Sequence, residues 1–154
     1  MQVSEILRVK GSTLYTVGPD TMLSDAVITM ADNDIGSLVV MEKGELLGIM
    51  TFREVMRVLA NRQVEHRDGP TPPVAEICVR EVMNPAPSIA TPSMDVNDLR
   101  RTMLESHQRY FPVMDGATLL GVISFHDVAR AVLEEQSFEN RMLKAYIRDW
   151  PAEG

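Results

Sequence analysis

The sequence predicts an α+β fold: two βαββα repeats packed sheet to sheet about a pseudo-twofold axis, followed by a C-terminal helix. Three observations predict it. First, Gly48-Ile49-Met50-Thr51-Phe52-Arg53-Glu54-Val55 returns 73 positions later as Gly121-Val122-Ile123-Ser124-Phe125-His126-Asp127-Val128, and residues 19–59 hold 12 identities in 41 ungapped pairs at that offset. Second, both copies alternate strand-like and helix-like periodicity in the same order. Third, a copy of roughly 55 residues buries only about 60% of its unfolded surface, so two copies must share a core.

The elements follow in order. Val3 to Leu7 matches Val79 to Met83 at an offset of 76, so the first copy carries three extra residues between Leu7 and Pro19. A short strand is expected near Tyr15 to Val17 and again near Ser88 to Ala90, each followed by a Pro-containing turn. Leu23, Ala26, Val27, Met30 and Ala31 then recur at helical spacing. Strand Ser37 to Met41, the turn Glu42-Lys43-Gly44-Glu45 and strand Leu46 to Met50 read as a hairpin. A helix from Phe52 to about Asn61 closes the first copy, and its counterpart runs from Phe125 to about Glu135. Asp68-Gly69-Pro70-Thr71-Pro72-Pro73 can neither continue a helix nor join a sheet. The division is therefore a first unit over 1–65, a linker over 66–74, a second unit over 75–135 and a tail over 136–154. In the tail, Phe138, Met142, Leu143, Tyr146, Ile147 and Trp150 fall at helical spacing and call for cover by a partner or by the body of the protein. The eleven methionines suit an inner core.

Composition narrows the function. The chain has 154 residues, 15 basic and 22 acidic side chains and a formal charge of -7. That balance repels nucleic acid and anionic membranes, so an anionic ligand needs a local basic pocket. No apolar run approaches the roughly 18 residues of a membrane span, and the first twenty residues lack the apolar core of a secretory signal. The expected location is the cytoplasm. One cysteine, Cys78, and three histidines rule out a disulfide framework and a Cys/His zinc site.

The residues after each hairpin carry the chemistry. Thr51-x-x-Glu54 and Ser124-x-x-Asp127 each open a helix after a strand. One reading is a capping box, in which hydroxyl and acid satisfy the helix's free N–H groups. The other uses the same geometry as an anion site, with a carboxylate one turn in that can accept both hydroxyls of a ribose. Gly48 and Gly121 would then let a ligand approach the backbone. Both readings stand at this level.

Together, the Gly-h-h-Thr/Ser-x-x-Asp motif, Phe111-Pro112-Val113 and the Val-x-Glu-h-Met run at Val79 to Met83 resemble a pair of CBS domains, a Bateman module, over about residues 3 to 135. Ile6-Leu7-Arg8-Val9-Lys10-Gly11 and the tail are similar to stand-alone bacterial two-CBS proteins. The resemblance implies adenine-nucleotide binding in two clefts between the copies, with AMP the first expectation and ADP, ATP or NAD the others. It maps the ribose-holding acid to Asp127 and the hydroxyl contacts to Ser124 and Thr51. It places adenine against Thr16, Val17 and Leu38 on one side and Ile89, Ala90, Phe111 and Pro112 on the other, with Tyr110 able to stack and Ser37 among the nucleotide-binding residues. Arg109, Arg53 and Lys10 are the candidate phosphate cations, and His126 lies in the motif loop. The first copy departs from the pattern: Glu54 stands where an aspartate is expected, and Gly36-Ser37 stands where the second copy has Arg109-Tyr110. The Asp127 cleft, with Arg109 as its cation, is therefore expected to be the better site.

Three classes of function follow. The first is a nucleotide sensor that signals to a separate effector protein and forms a twofold homodimer through Val55-Val58-Leu59 and Val128-Ala131-Val132. The second is a ligand-free assembly module in which both acids are only caps. The third, an enzyme, is disfavoured: Glu54 and Asp127 occupy equivalent positions, whereas acid–base work needs unlike ones. There is also no Walker loop, G-x-S-x-G or H-E-x-x-H.

Overall fold

Each copy is built on the hairpin its alternation predicts. A computed structural model describes residues 1–11, 13–66, 73 and 76–148. The order of elements is α1 (Val3–Lys10), β1 (Thr16–Val17), α2 (Leu23–Asp32), β2 (Ser37–Glu42), β3 (Glu45–Thr51) and α3 (Phe52–His66) in the first half. The second half holds α4 (Val79–Val82), α5 (Val96–Ser106), β4 (Tyr110–Asp115), β5 (Thr118–Ser124) and α6 (Phe125–Arg148). β2 and β3 pair antiparallel, as do β4 and β5, and both hairpins shift register at the same place, between Val40 and Met41 and between Val113 and Met114. A bulge repeated at the 73-residue offset is the duplication made visible in backbone geometry.

The two sheets differ at their edges. β1 runs parallel to β2, pairing Thr16 with Val39 and Val17 with Val40. The strand expected at Ser88 to Ala90 reduces to one bridge, Ala90 with Val113. The cause is Pro112, which stands where the first copy has Val39. Val39 N donates to Tyr15 O, whereas Pro112 has no N–H to offer Ser88. Gln108 takes over: its Nε2 donates to Ser88 O at 2.8 Å and its Oε1 accepts from Ser88 N at 3.0 Å.

The two halves do not share the single core expected of them: each has its own, and they exchange their leading helices. Val3 and Ile6 of α1 are buried with Leu99, Met103, Phe111 and Val128 in the second core, while Val79 of α4 is buried with Leu23, Leu38 and Met50 in the first. Backbone bonds fix the exchange: Val3 N to Met94 O and Ser4 N to Pro92 O on one side, Val79 N to Thr21 O and Arg80 N to Pro19 O on the other. Ile49 and Asn84 bond reciprocally at 3.0 and 2.8 Å and join β3 to the chain after α4. Gly48 serves that junction. A Cβ there would lie 2.4 Å from Asn84 O, so the neighbour that needs the missing side chain is protein and not ligand. Gly121 likewise faces Leu7.

Two further expectations are corrected. α6 is one helix of 24 residues, with no break between the closing helix and the tail, because residues 135–138 hold neither Gly nor Pro. Its Phe138, Met142, Leu143 and Ile147 are exposed, so the body of this chain does not cover them, and Trp150 and Pro151 lie outside the described residues. The faces assigned to a dimer are mostly in use within the chain: Val128 is fully buried, and Val55, Val58, Ala131 and Val132 pack on the cores. Of those residues Leu59 is exposed, and beside it Phe52, Met56 and Val64 of α3 and Leu133 of α6 are exposed too. Apart from Pro73, the Gly/Pro-rich linker lies outside the described residues. No helix among the described residues is long and apolar enough to cross a membrane.

Candidate functional site

The halves meet along two clefts of equal size, each about 330 Å³. Each combines one copy's hydroxyl-bearing strand end with the other copy's loop between second helix and hairpin. The Ser124 cleft is lined by Val122 and Ser124 of the second copy and by Asp34, Ile35, Gly36 and Ser37 of the first, with Lys10, Thr13, Leu14, Tyr15 and Tyr110 completing it. The Thr51 cleft is lined by Ile49, Thr51, Phe52, Arg53 and Glu54 of the first copy and by Ser106, His107, Gln108, Arg109 and Tyr110 of the second, with Asn84. Backbone geometry follows the same symmetry: Asp34 and His107, 73 residues apart, both adopt positive φ, and Phe52 N bonds Gly36 O as Phe125 N bonds Arg109 O.

Both acids act as caps. Ser124 N donates to Asp127 Oδ2 at 2.9 Å, and Asp127 N donates to Ser124 Oγ at 3.1 Å. In the first copy Thr51 N donates to Glu54 Oε2 at 2.8 Å, the Thr51 hydroxyl donates to the same oxygen, and Arg53 N donates to Thr51 Oγ1 at 3.2 Å. The extra methylene of Glu54 is therefore absorbed within the cap.

Asp127 has a second partner. Lys10 Nζ lies 2.7 Å from Asp127 Oδ2 and donates also to Val122 O at 2.7 Å. Burial would push the Asp127 carboxyl up. Hydrogen bonds from Lys10 and Ser124, together with the Lys10 charge, outweigh it and hold the group below the ordinary carboxylate value. The position of Lys10 has a local origin. α4 ends after one turn, ahead of Asn84-Pro85, while α1 runs on through Lys10 to Gly11, whose φ of 93° stops it. The three-residue excess of the first copy thus supplies the lysine. Asp127 does not line the Ser124 cleft: Lys10 lines both that cleft and a groove of about 590 Å³ along α1 and α6, whereas Asp127 lines the groove alone, which corrects the expectation that its carboxylate stands in a cleft between the copies.

Tyr110 stands between the clefts and lines both. Its ring covers Gly36, where a Cβ would come within 1.9 Å of Oη. Burial, and then the Asp127 charge, push its hydroxyl up. Arg109 lies across from its expected position: it belongs to the Thr51 cleft, with its guanidinium 5.0 Å from the centroid of the Phe125 ring. The expectation that Arg109 serves the Asp127 cleft is overturned, because each cleft pairs the motif of one copy with the loop of the other.

The remaining candidates divide plainly. Lys10, Ser37, Tyr110 and Ser124 meet in one cleft, and Thr51, Arg53, Glu54, Arg109 and Tyr110 in the other. Leu38, Ala90 and Phe111 are buried in the cores, and Pro112 is buried too, so these side chains present no surface to a ligand. Thr16, Val17 and Ile89 line neither cleft. His126 is exposed on α6, its Nε2 3.0 Å from Arg130 Nη2. Sequence reasoning missed Tyr15, Asp34, Gln108 and Asn84. The repeat offset could have found Asp34 and Gln108, which flank the loop positions already singled out. Among the described residues no group of three His, Cys, Asp or Glu side chains is placed to hold a metal ion.

Comparisons with known proteins agree with this architecture. The CBS-domain family model matches residues 3–61 and 79–134. A mitochondrial CBS domain-containing protein of Arabidopsis thaliana, CBSX3, is 32% identical over 154 residues, covering 95% of this chain and 71% of its own length. Among solved structures, the CBS domain protein NE2398 superposes with a TM-score of 0.77 at 27% identity, covering 86% of this chain and 98% of that one. CBSX2, solved in complex with AMP, superposes at 0.69 with 23% identity, covering 88% and 98%. Two family matches, a duplicated hairpin and two symmetric clefts lead to one conclusion: this chain belongs to the CBS-domain family, as a CBS pair with a long C-terminal helix.

Proposed function

We propose that the chain is a regulatory module that binds an adenosine ligand, AMP foremost and ADP, ATP or NAD as alternatives, between its two CBS domains. Ligand occupancy would bias the arrangement of the two halves or of a homodimer, and a separate effector protein would read that arrangement. The observation that carries this reading is the pair of equal clefts, each joining the hydroxyl at one copy's helix start to a polar loop of the other copy, with the acid of the motif lining the Thr51 cleft. A furrow of this kind can hold a flat base between apolar walls and a sugar-phosphate at its polar end. That a fold neighbour was solved with AMP supports an adenosine compound as the ligand class. Proteins built of CBS domains alone are generally regulatory, which is the support for binding over catalysis.

A second reading is favoured by one specific observation. Both acids are engaged as caps, and Asp127 is further paired with Lys10, so the geometry also suits a ligand-free assembly module. Calorimetric titration with AMP, ATP, NAD and S-adenosylmethionine separates the two. The sensor predicts saturable heat with at least one of them. Absence of heat with all four supports the assembly module, and turnover of any of them would revive an enzyme.

A further inference from the structure

We infer that the two clefts take different classes of adenosine ligand: the Thr51 cleft takes the phosphorylated compound, and the Ser124 cleft takes one without phosphate. This rests on the proposed binding of adenosine ligands and assigns their chemistry cleft by cleft. It reverses the ranking that the motif residues alone suggest.

The charges decide it. A chain of formal charge -7 can hold a phosphate only where basic side chains are gathered and not already matched. The basic side chain of the Ser124 cleft is Lys10, and its ammonium is engaged by Asp127 and by Val122 O, both at 2.7 Å. Asp34 is the carboxylate that lines that cleft. Lys10 and Asp34, the charged side chains that line the cleft, sum to a formal charge of about 0 at neutral pH, and Asp127 behind the lining already matches the lysine. A phosphate entering here would have to draw Lys10 away from Asp127, whose side chain is only 17% exposed, and leave that carboxylate unpaired among buried neighbours.

The Thr51 cleft has the same volume and a net positive lining. Arg53 and Arg109 both line it, and neither takes part in an ion pair among the described residues. Glu54 is turned back on Thr51, so the three side chains sum to about +1. Arg109 is also steadied: its guanidinium lies over the Phe125 ring, an arrangement that leaves the N–H edge of the plane for a phosphate. The duplication supplies no equivalent in the other cleft, because Gly36 stands where Arg109 would be. Two clefts of equal volume, one with two unmatched arginines and the other with its lysine already paired, differ by about one charge unit and will sort ligands by charge.

The test is calorimetry with AMP and with adenosine on the wild type, Arg109→Gln and Lys10→Gln, each checked for cooperative melting. Arg109→Gln is expected to weaken AMP by about tenfold or more, the loss of a charge-assisted contact, and Arg109→Lys to recover part of it. Lys10→Gln is expected to weaken AMP far less than Arg109→Gln does. Adenosine is expected to bind at one further site while AMP is saturating. AMP lost in Lys10→Gln and retained in Arg109→Gln would overturn the assignment, as would full competition between adenosine and AMP. A wild type that binds neither compound would instead sink the adenosine reading itself, a separate and recognisable failure.

Discussion

Gly48→Ala and Gly121→Ala are the same substitution at the same place in the repeat, and the structure predicts that they differ sharply. At Gly48 a methyl group would lie 2.4 Å from Asn84 O, 3.2 Å from Asn84 C and 3.0 Å from Met83 Sδ. The nearest atom is backbone and cannot swing aside, so the segment after α4 must withdraw by more than half an ångström. That withdrawal strains the reciprocal Ile49–Asn84 bonds that join the halves. Two backbone hydrogen bonds contribute about 0.5–1.5 kcal/mol each, and overpacking costs about 1–3 kcal/mol. Loss of unfolded-state freedom returns about 0.4–1 kcal/mol. The expected net loss is about 2–4 kcal/mol, which in a chain of this size lowers Tm by roughly 5–12 °C. At Gly121 the nearest atom is Leu7 Cδ2 at 3.0 Å, the free end of a side chain that can rotate away. Gly121→Ala should therefore change stability by about 1 kcal/mol or less. Urea denaturation followed by circular dichroism measures both. Equal losses, or a neutral Gly48→Ala, would refute the account of the halves as interlocked through the segment that follows α4.

Two other outcomes follow. The Asp127 carboxyl is held below its ordinary value in the folded state, so its stabilisation is complete above the ordinary carboxylate range and is lost as pH falls through the lower folded value. Urea midpoints should therefore show Asp127→Asn to be destabilised by about 1–2 kcal/mol at pH 7, with the gap to wild type narrowing as pH falls below the ordinary carboxylate range. A gap independent of pH would contradict the Lys10 pairing. Met56 and Leu133 are 63% and 65% exposed on α3 and α6, so sedimentation velocity should find a homodimer that Met56→Glu with Leu133→Glu converts to monomer; an unchanged dimer would place the interface elsewhere.

What the sequence revealed was whatever the repeat duplicates. Hairpins, bulge position and the two hydroxyl–acid helix starts lie at one offset, and similar local sequence made similar local structure. What it concealed was the pairing between copies. Val3 to Leu7 matches Val79 to Met83, yet the match cannot say that each helix fills the other copy's core. For the same reason Arg109 could be recognised as a cation but not assigned to its cleft, and Lys10 gave no sign of meeting Asp127 across 117 positions. Two misses had legible causes. Pro112 removes the N–H that a strand at Ser88 would need, and the unbroken Glu135-Gln136-Ser137-Phe138 run gives a helix no reason to stop.

The most direct test of the account is a crystal structure of the chain grown with AMP. The prediction is nucleotide density between the two CBS domains in the Thr51 cleft, its phosphate within 3.5 Å or so of the Arg109 or Arg53 guanidinium, a hydrogen-bonded approach. Density confined to the α1–α6 groove or to the outer surface of the helices, with both clefts empty at saturating AMP, would contradict it.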